Sequence, residues 1–166
     1  MTPALLRARS IDELHLYLDL AGWEAERTHR LEEGPDGLVA AYRGRTGSGQ
    51  TVEQRFAPVP AAPANGPSRL IDAGQWHLLA TALASSVPAD LARLPAGARA
   101  EAAQRLARAI AYLDEVLRFL PAAAMRVPAE AFWTDAGRMH YATRPGAFDR
   151  DMLMIERRAW AASLPS

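Results

Sequence analysis

The stretch SIDELHLYLDLAGWEAERTHRLEEGPDGLVAAYRGRTGSGQTVEQRF, residues 10–56, changes its hydrophobic period at Gly22, and that change decides the fold class. Upstream, Ile11, Leu14, Tyr17, Leu18 and Ala21 recur three and four apart, the spacing of one helical face. Ser10-Ile11-Asp12-Glu13 reads as a capping box, in which the serine hydroxyl takes a backbone N–H and the glutamate reaches back to the cap. A helix from Ile11 to about Ala21 follows, with Gly22 as its left-handed stop. Downstream, Trp23, Ala25, Arg27, His29 and Leu31 alternate with Glu24, Glu26, Thr28, Arg30 and Glu32, the period of a strand with one wetter face. Gly34-Pro35-Asp36-Gly37 is turn chemistry, and Leu38–Arg43 and Thr51–Phe56 read as two further strands. Residues 10–57 therefore predict a helix followed by a three-stranded antiparallel meander.

Residues 57–67 (APVPAAPANGP) carry four prolines and predict an extended connector. Beyond it the pattern is helical over 68–164. Asp72 caps a segment through Ser86 with Trp76, Leu79 and Leu83 as its stripe, and Pro88–Leu94 fits a short turn of helix. The longest element, Ala98–Leu120, carries Leu106, Ile110, Leu113, Leu117 and Leu120 at 4-3-4-3 spacing, about two heptads. This reads first as a buried bundle helix and second as the seam of a homodimer. Pro128 opens a further helix through about Arg144, and Asp149 caps a last one through about Ala162. The expected class is α+β, as one domain over 1–166, because a three-stranded meander and one short helix bury little surface alone.

Composition excludes more chemistry than it proposes. The 166 residues contain 19 cations, all arginine, 19 acids and no cysteine. Thiolate nucleophiles, cysteine-ligated metals, Schiff-base lysines and phosphate-loop lysines are thereby ruled out. The arginine-only, alanine-rich usage fits a GC-rich bacterial genome. No apolar run reaches the ~18 residues that span a bilayer, and Met1–Arg9 lacks the long apolar segment of a secretory signal, so a soluble cytoplasmic chain is expected. Charge is even along the chain, −2 over residues 1–60 and +2 over 61–166, with no basic or acidic tail.

The order helix, three strands, helix, with AGW at residues 21–23 and EEGPDG at 32–37, resembles a double-stranded-RNA-binding domain over Ala4–Ser86. That family grips phosphates with a lysine-rich helix start. The matching position here is Ala73-Gly74-Gln75, with no cation near it, so no nucleic-acid partner is expected. The glycine-rich Arg45–Gln50 (RTGSGQ) is followed by strand-like alternation and reads as a hairpin turn, not a phosphate cradle.

The four histidines, His15, His29, His77 and His140, lack the local spacing of a metal motif, and no metal or cofactor is expected. His15 with Asp19 and His140 with Asp135 read as exposed ion pairs. The densest chemistry lies in Pro128–Asp151, where Phe132, Trp133, His140, Tyr141 and Phe148 occur within seventeen residues. On one continuous helix Trp133, Gly137, His140 and Arg144 share a stripe. One reading docks that face on the sheet, with Gly137 allowing close approach. The other makes Trp133, His140, Tyr141 and Arg144 a ligand or partner surface, since Trp, Tyr and Arg dominate interface hot spots. No nucleophile elbow, recurrent acid pair or cofactor fingerprint is present. The expected function is a non-enzymatic protein-binding module, for example an immunity protein or an effector chaperone whose partner is encoded nearby. The alternative is a small hydrolase or ligand-binding enzyme with its pocket near Trp133 and His140.

Overall fold

The computed structural model describes residues 5–24, 26–34, 37–57 and 65–165. The chain is α+β, as the change of period predicts. In order come α1 (Ile11–Leu20), β1 (Thr28–Gly34), β2 (Gly37–Arg45), β3 (Thr51–Phe56), α2 (Ala73–Ser85), α3 (Ala96–Leu117), α4 (Asp135–Thr143) and α5 (Arg150–Ala162). They fall into two compact units, Met1–Ile71 and Asp72–Ser166. Pro35 and Asp36 of the expected turn, and residues 58–64 of the expected connector, lie outside the described residues.

In the first unit the Ser10 hydroxyl accepts from the Glu13 N–H at 3.1 Å, and the chain leaves α1 through Gly22 at φ +76°. The other half of the capping box is displaced by one residue. The Glu13 carboxylate accepts from the Arg9 backbone N–H at 2.5 Å and from its guanidinium at 2.8 and 3.0 Å. That pairing lets Glu13 be buried, and it turns the inner face of α1 to Glu13, Leu14 and Leu18 while Ile11 stays exposed. The sheet is the predicted antiparallel meander in the order β1-β2-β3. Its first strand begins at Thr28, and Trp23 makes only an isolated bridge to Thr46. Tyr42 and Phe56 meet His15 and Tyr17 of α1 edge-on, at 6.0 and 6.1 Å between ring centroids. On the opposite sheet face Arg30, Glu32, Glu53 and Arg55 pair across all three strands.

In the second unit α2 (AGQWHLLATALAS) has no charged residue, which suits a helix enclosed by others. Its start is a full capping box: Gln75 N–H donates to Asp72 at 2.8 Å, and Asp72 N–H donates to Gln75 Oε1 at 3.2 Å. The buried face is Ala73, Gly74, Trp76, His77 and Ala80, so it is rotated from the expected stripe, and Leu79 and Leu83 are half-buried. Along α3, Ala102, Leu106, Ala109, Ile110, Leu113 and Val116 are buried, and Leu91, Leu106 and Trp160 belong to one apolar cluster. The expected dimer seam is therefore occupied as core: Leu106, Ile110 and Leu113 face inward and Leu117 is half-buried.

The expected continuous helix over 128–144 is broken in two. A single 3-10 turn at Ala129–Ala131 is followed by non-helical Phe132 and extended Thr134, and α4 begins only at Asp135. The cause is Asp72. Its second carboxylate oxygen accepts from the Thr134 N–H at 2.8 Å and from the Thr134 hydroxyl at 2.7 Å. The same hydroxyl accepts from the Gly137 N–H at 3.0 Å, so Thr134 caps α4 while bonding the cap of α2. Helices α2 and α4 cross backbone to backbone here. A Cβ on Gly74 would lie 2.5 Å from the Gly137 Cα, and one on Gly137 would lie 2.2 Å from the Asp72 carboxylate oxygens. The close approach anticipated for Gly137 is thus to another helix and not to the sheet. Asp149 also departs from expectation: it occupies the cap position of α5 without a capping bond, its carboxylate being held by Arg126.

Substitutions at this crossing should separate sterics from hydrogen bonding in urea unfolding followed by tryptophan fluorescence. Gly137→Ala should lose about 1–3 kcal/mol through overpacking. Thr134→Val, which abandons the buried carboxylate, should lose about 1–3 kcal/mol, and Thr134→Ser should stay within about 0.5 kcal/mol of the parent. A Gly137→Ala chain unfolding at the parent midpoint would contradict so close a crossing.

Candidate functional site

Starting α4 at its Thr134 cap sets the rotation of His140, which meets a histidine 63 positions away on α2. His77 of α2 is fully buried, and both its ring nitrogens are engaged: Nδ1 lies 2.8 Å from Nε2 of His140, and Nε2 lies 3.1 Å from the Glu156 carboxylate on α5. The bond order follows from donor counting. An ionised Glu156 accepts only, so His77 donates through Nε2–H, its Nδ1 accepts from His140 Nε2–H, and the His140 Nδ1 carries the free lone pair. The result is a base–orienter–carboxylate chain that joins three helices.

Aromatic rings enclose this chain. Phe148, fully buried, lies 4.8 Å from His77 and 5.8 Å from His140 between ring centroids. Phe132 stands edge-on to Phe148 at 4.8 Å, and Tyr141 stacks on Phe132 at 4.4 Å. Burial holds the His140 pKa below the ordinary histidine value, and the adjoining His77 ring and the Arg144 guanidinium lower it further against the opposing pull of Glu156. His140 is therefore a neutral base near physiological pH.

The predicted stripe of Trp133, Gly137, His140 and Arg144 does not form, because α4 spans only Asp135–Thr143. His140 and Tyr141 lie half-buried on the same ring cluster, and Arg144 is exposed at the C-cap of α4, close enough to act on His140 electrostatically. Trp133 precedes the helix, packs beside Phe119 at 6.0 Å and is 40% exposed. The anticipated local ion pairs form elsewhere: Asp19 binds Arg27, and Asp135 binds Arg138. His77 and Glu156 escaped the sequence reading because they stand 63 and 16 positions from His140. One signal was available: a helix without charges that contains a histidine must satisfy that ring internally.

Chemically, the chain can move or hold a proton at His140. Both nitrogens of His77 are committed to protein partners, and among the described residues no group of three or more His, Cys, Asp or Glu side chains is placed to hold a metal ion. Two surface hollows, of about 210 and 440 Å³, are lined by Leu83, Glu101, Gln104, Arg105 and Arg108 and by Met125, Arg126, Asp149 and Asp151. Neither of these includes His140. Among the described residues no helix is long and apolar enough to cross a membrane. No protein-family model matches the chain, and neither a curated protein nor a solved structure is significantly similar to it.

The depressed His140 pKa has a signed consequence for stability. In the unfolded chain His140 takes up its proton near pH 6.5, whereas the folded site resists protonation to lower pH. Stability from this group is complete above about 6.5 and declines as pH falls from there toward the folded pKa. Unfolding midpoints measured between pH 8 and 5 should fall on acidification, and His140→Gln, whose amide can still donate to His77, should show a shallower fall. A slope unchanged by that substitution would remove His140 as its source.

Proposed function

We propose that this chain is a non-enzymatic cytoplasmic protein-binding module of bacterial type, in the manner of an immunity protein or an effector chaperone, with its contact surface around α4. The observation that carries this reading is the contrast between Phe132 and Phe148, packed inside the ring cluster, and their neighbours Trp133 and Met139, which are 40% and 69% exposed. An exposed tryptophan packed on Phe119, an exposed methionine and Arg144, all within residues 133–144, have the composition of an interface hot spot. In this reading Tyr141 and His140 support the surface from beneath.

The near-neutral charge fits a partner recognised by shape and apolar contact more than by electrostatic steering. A second reading, a small hydrolase or ligand-binding enzyme, draws on the His140–His77–Glu156 chain, which has the orientation of a general base.

Capture with the tagged full chain against the products of adjacent genes separates the two. Binding that weakens about thirtyfold or more in Trp133→Ala and in Arg144→Glu supports the module. An absence of binding to any adjacent product, together with ester hydrolysis lost in His140→Ala, would favour the enzyme instead.

A further inference from the structure

Helix α5 is amphipathic in two senses. Its inner side carries buried Leu153, the half-buried Trp160 of the α3 cluster, and Arg157, which grips Asp114 of α3 at 2.6 and 3.2 Å. On its outer side Met152 and Ile155 are 50% and 56% exposed, and Ala159 and Ala162 continue the same stripe in the open. Apolar side chains three, four and three residues apart form a narrow seam that aqueous exposure disfavours.

Two charges flank the seam on one edge. Asp151 and Arg158 lie two turns apart on the same side of the helix, both are exposed, and among the described residues neither has an ion-pair partner. An acid and a base so placed cannot reach each other within one helix. They are mutually complementary in an antiparallel pair.

We propose that this face is a homodimerisation surface, occupied by α5 of a second copy of the chain about a two-fold axis near Ile155. Pairing residue 151 of one helix with 158 of the other sets the register. In that register Ile155 meets its own counterpart, Met152 enters between Ile155 and Ala159 of the second copy, and both Asp151–Arg158 pairs close. A two-fold contact is self-complementary, so each helix supplies both halves of every pair. Small Ala159 leaves room for the methionine. A single helix face falls short of the ~800 Å² per partner typical of stable interfaces, so association is concentration-dependent and not obligate. The surface differs from that around Trp133, and the inference does not depend on the proposed function.

Charge reversal tests it on the full chain. Sedimentation or light scattering across roughly 10 µM to 1 mM, the range expected for a weak contact, should show mass rising from monomer toward dimer. Asp151→Arg and Arg158→Asp, each placing two like-charge pairs in the interface, should weaken association about tenfold or more. The combined D151R/R158D chain should recover it, and Ile155→Asp should abolish it, with circular dichroism confirming that every variant keeps its helices. A monomer throughout the range overturns the proposal. So does a dimer indifferent to the single reversals, or one that the combined reversal fails to restore.

Discussion

The helical unit depends on one buried carboxylate. Asp72 is fully enclosed, where an unpaired charge would cost several kcal/mol, and it is held by three donors: the N–H of Gln75, the N–H of Thr134 and the hydroxyl of Thr134. It also lies between the N-termini of α2 and α4, each carrying the positive end of a helix dipole. Much of the nearby geometry follows from bringing two helix starts to one anion. Gly74 and Gly137 are the residues that let the backbones close upon it, and Thr134 must leave the helix so that its N–H and hydroxyl can both point there.

That constraint propagates to the ring cluster. Because α4 starts at Asp135, His140 arrives beside His77, and because α5 starts after the Phe148 turn, Glu156 arrives on the other side of the same ring. Three helices are thus tied through the two nitrogens of one imidazole. Its full burial would be unfavourable if either nitrogen lacked a partner. The arrangement is a structural tie with acid–base capacity, and His140 is its outward end.

The parts of the fold legible in the sequence are those in which a local rule decides the outcome. Period change at Gly22, the Ser10 and Asp72 caps, and the turn residues around Gly37 and Gly47 each act within a few positions, and the helix-plus-meander follows from them. The break at Thr134 was not legible, because Pro128–Arg144 carries a good helical pattern and the competing acceptor, Asp72, stands 62 positions away. The same distance problem hid His77. The Leu106–Leu117 seam shows a different ambiguity: heptad spacing reads alike for a core helix and a dimer, and only the neighbours decide. Trp133 leaves its predicted stripe for the same reason as the break, whereas four of the rings dense in 132–148, those of Phe132, His140, Tyr141 and Phe148, do gather, together with His77.

The ties between α2 and its partners also set an order of biosynthesis. Asp72 and His77 leave the ribosome 62 and 79 residues before Thr134 and Glu156, their partners. At ordinary rates of elongation the second interval lasts roughly 4–16 s. During that time Asp72 has its Gln75 donor but not those of Thr134, and His77 has neither ring partner, so the inner face of α2 stays wet until the chain past residue 156 has emerged. In the first unit the strands that pair follow one another directly, so all the ladder partners lie within residues 28–56. A nascent chain of this protein therefore has every strand of its sheet available while its helical unit still lacks these partners.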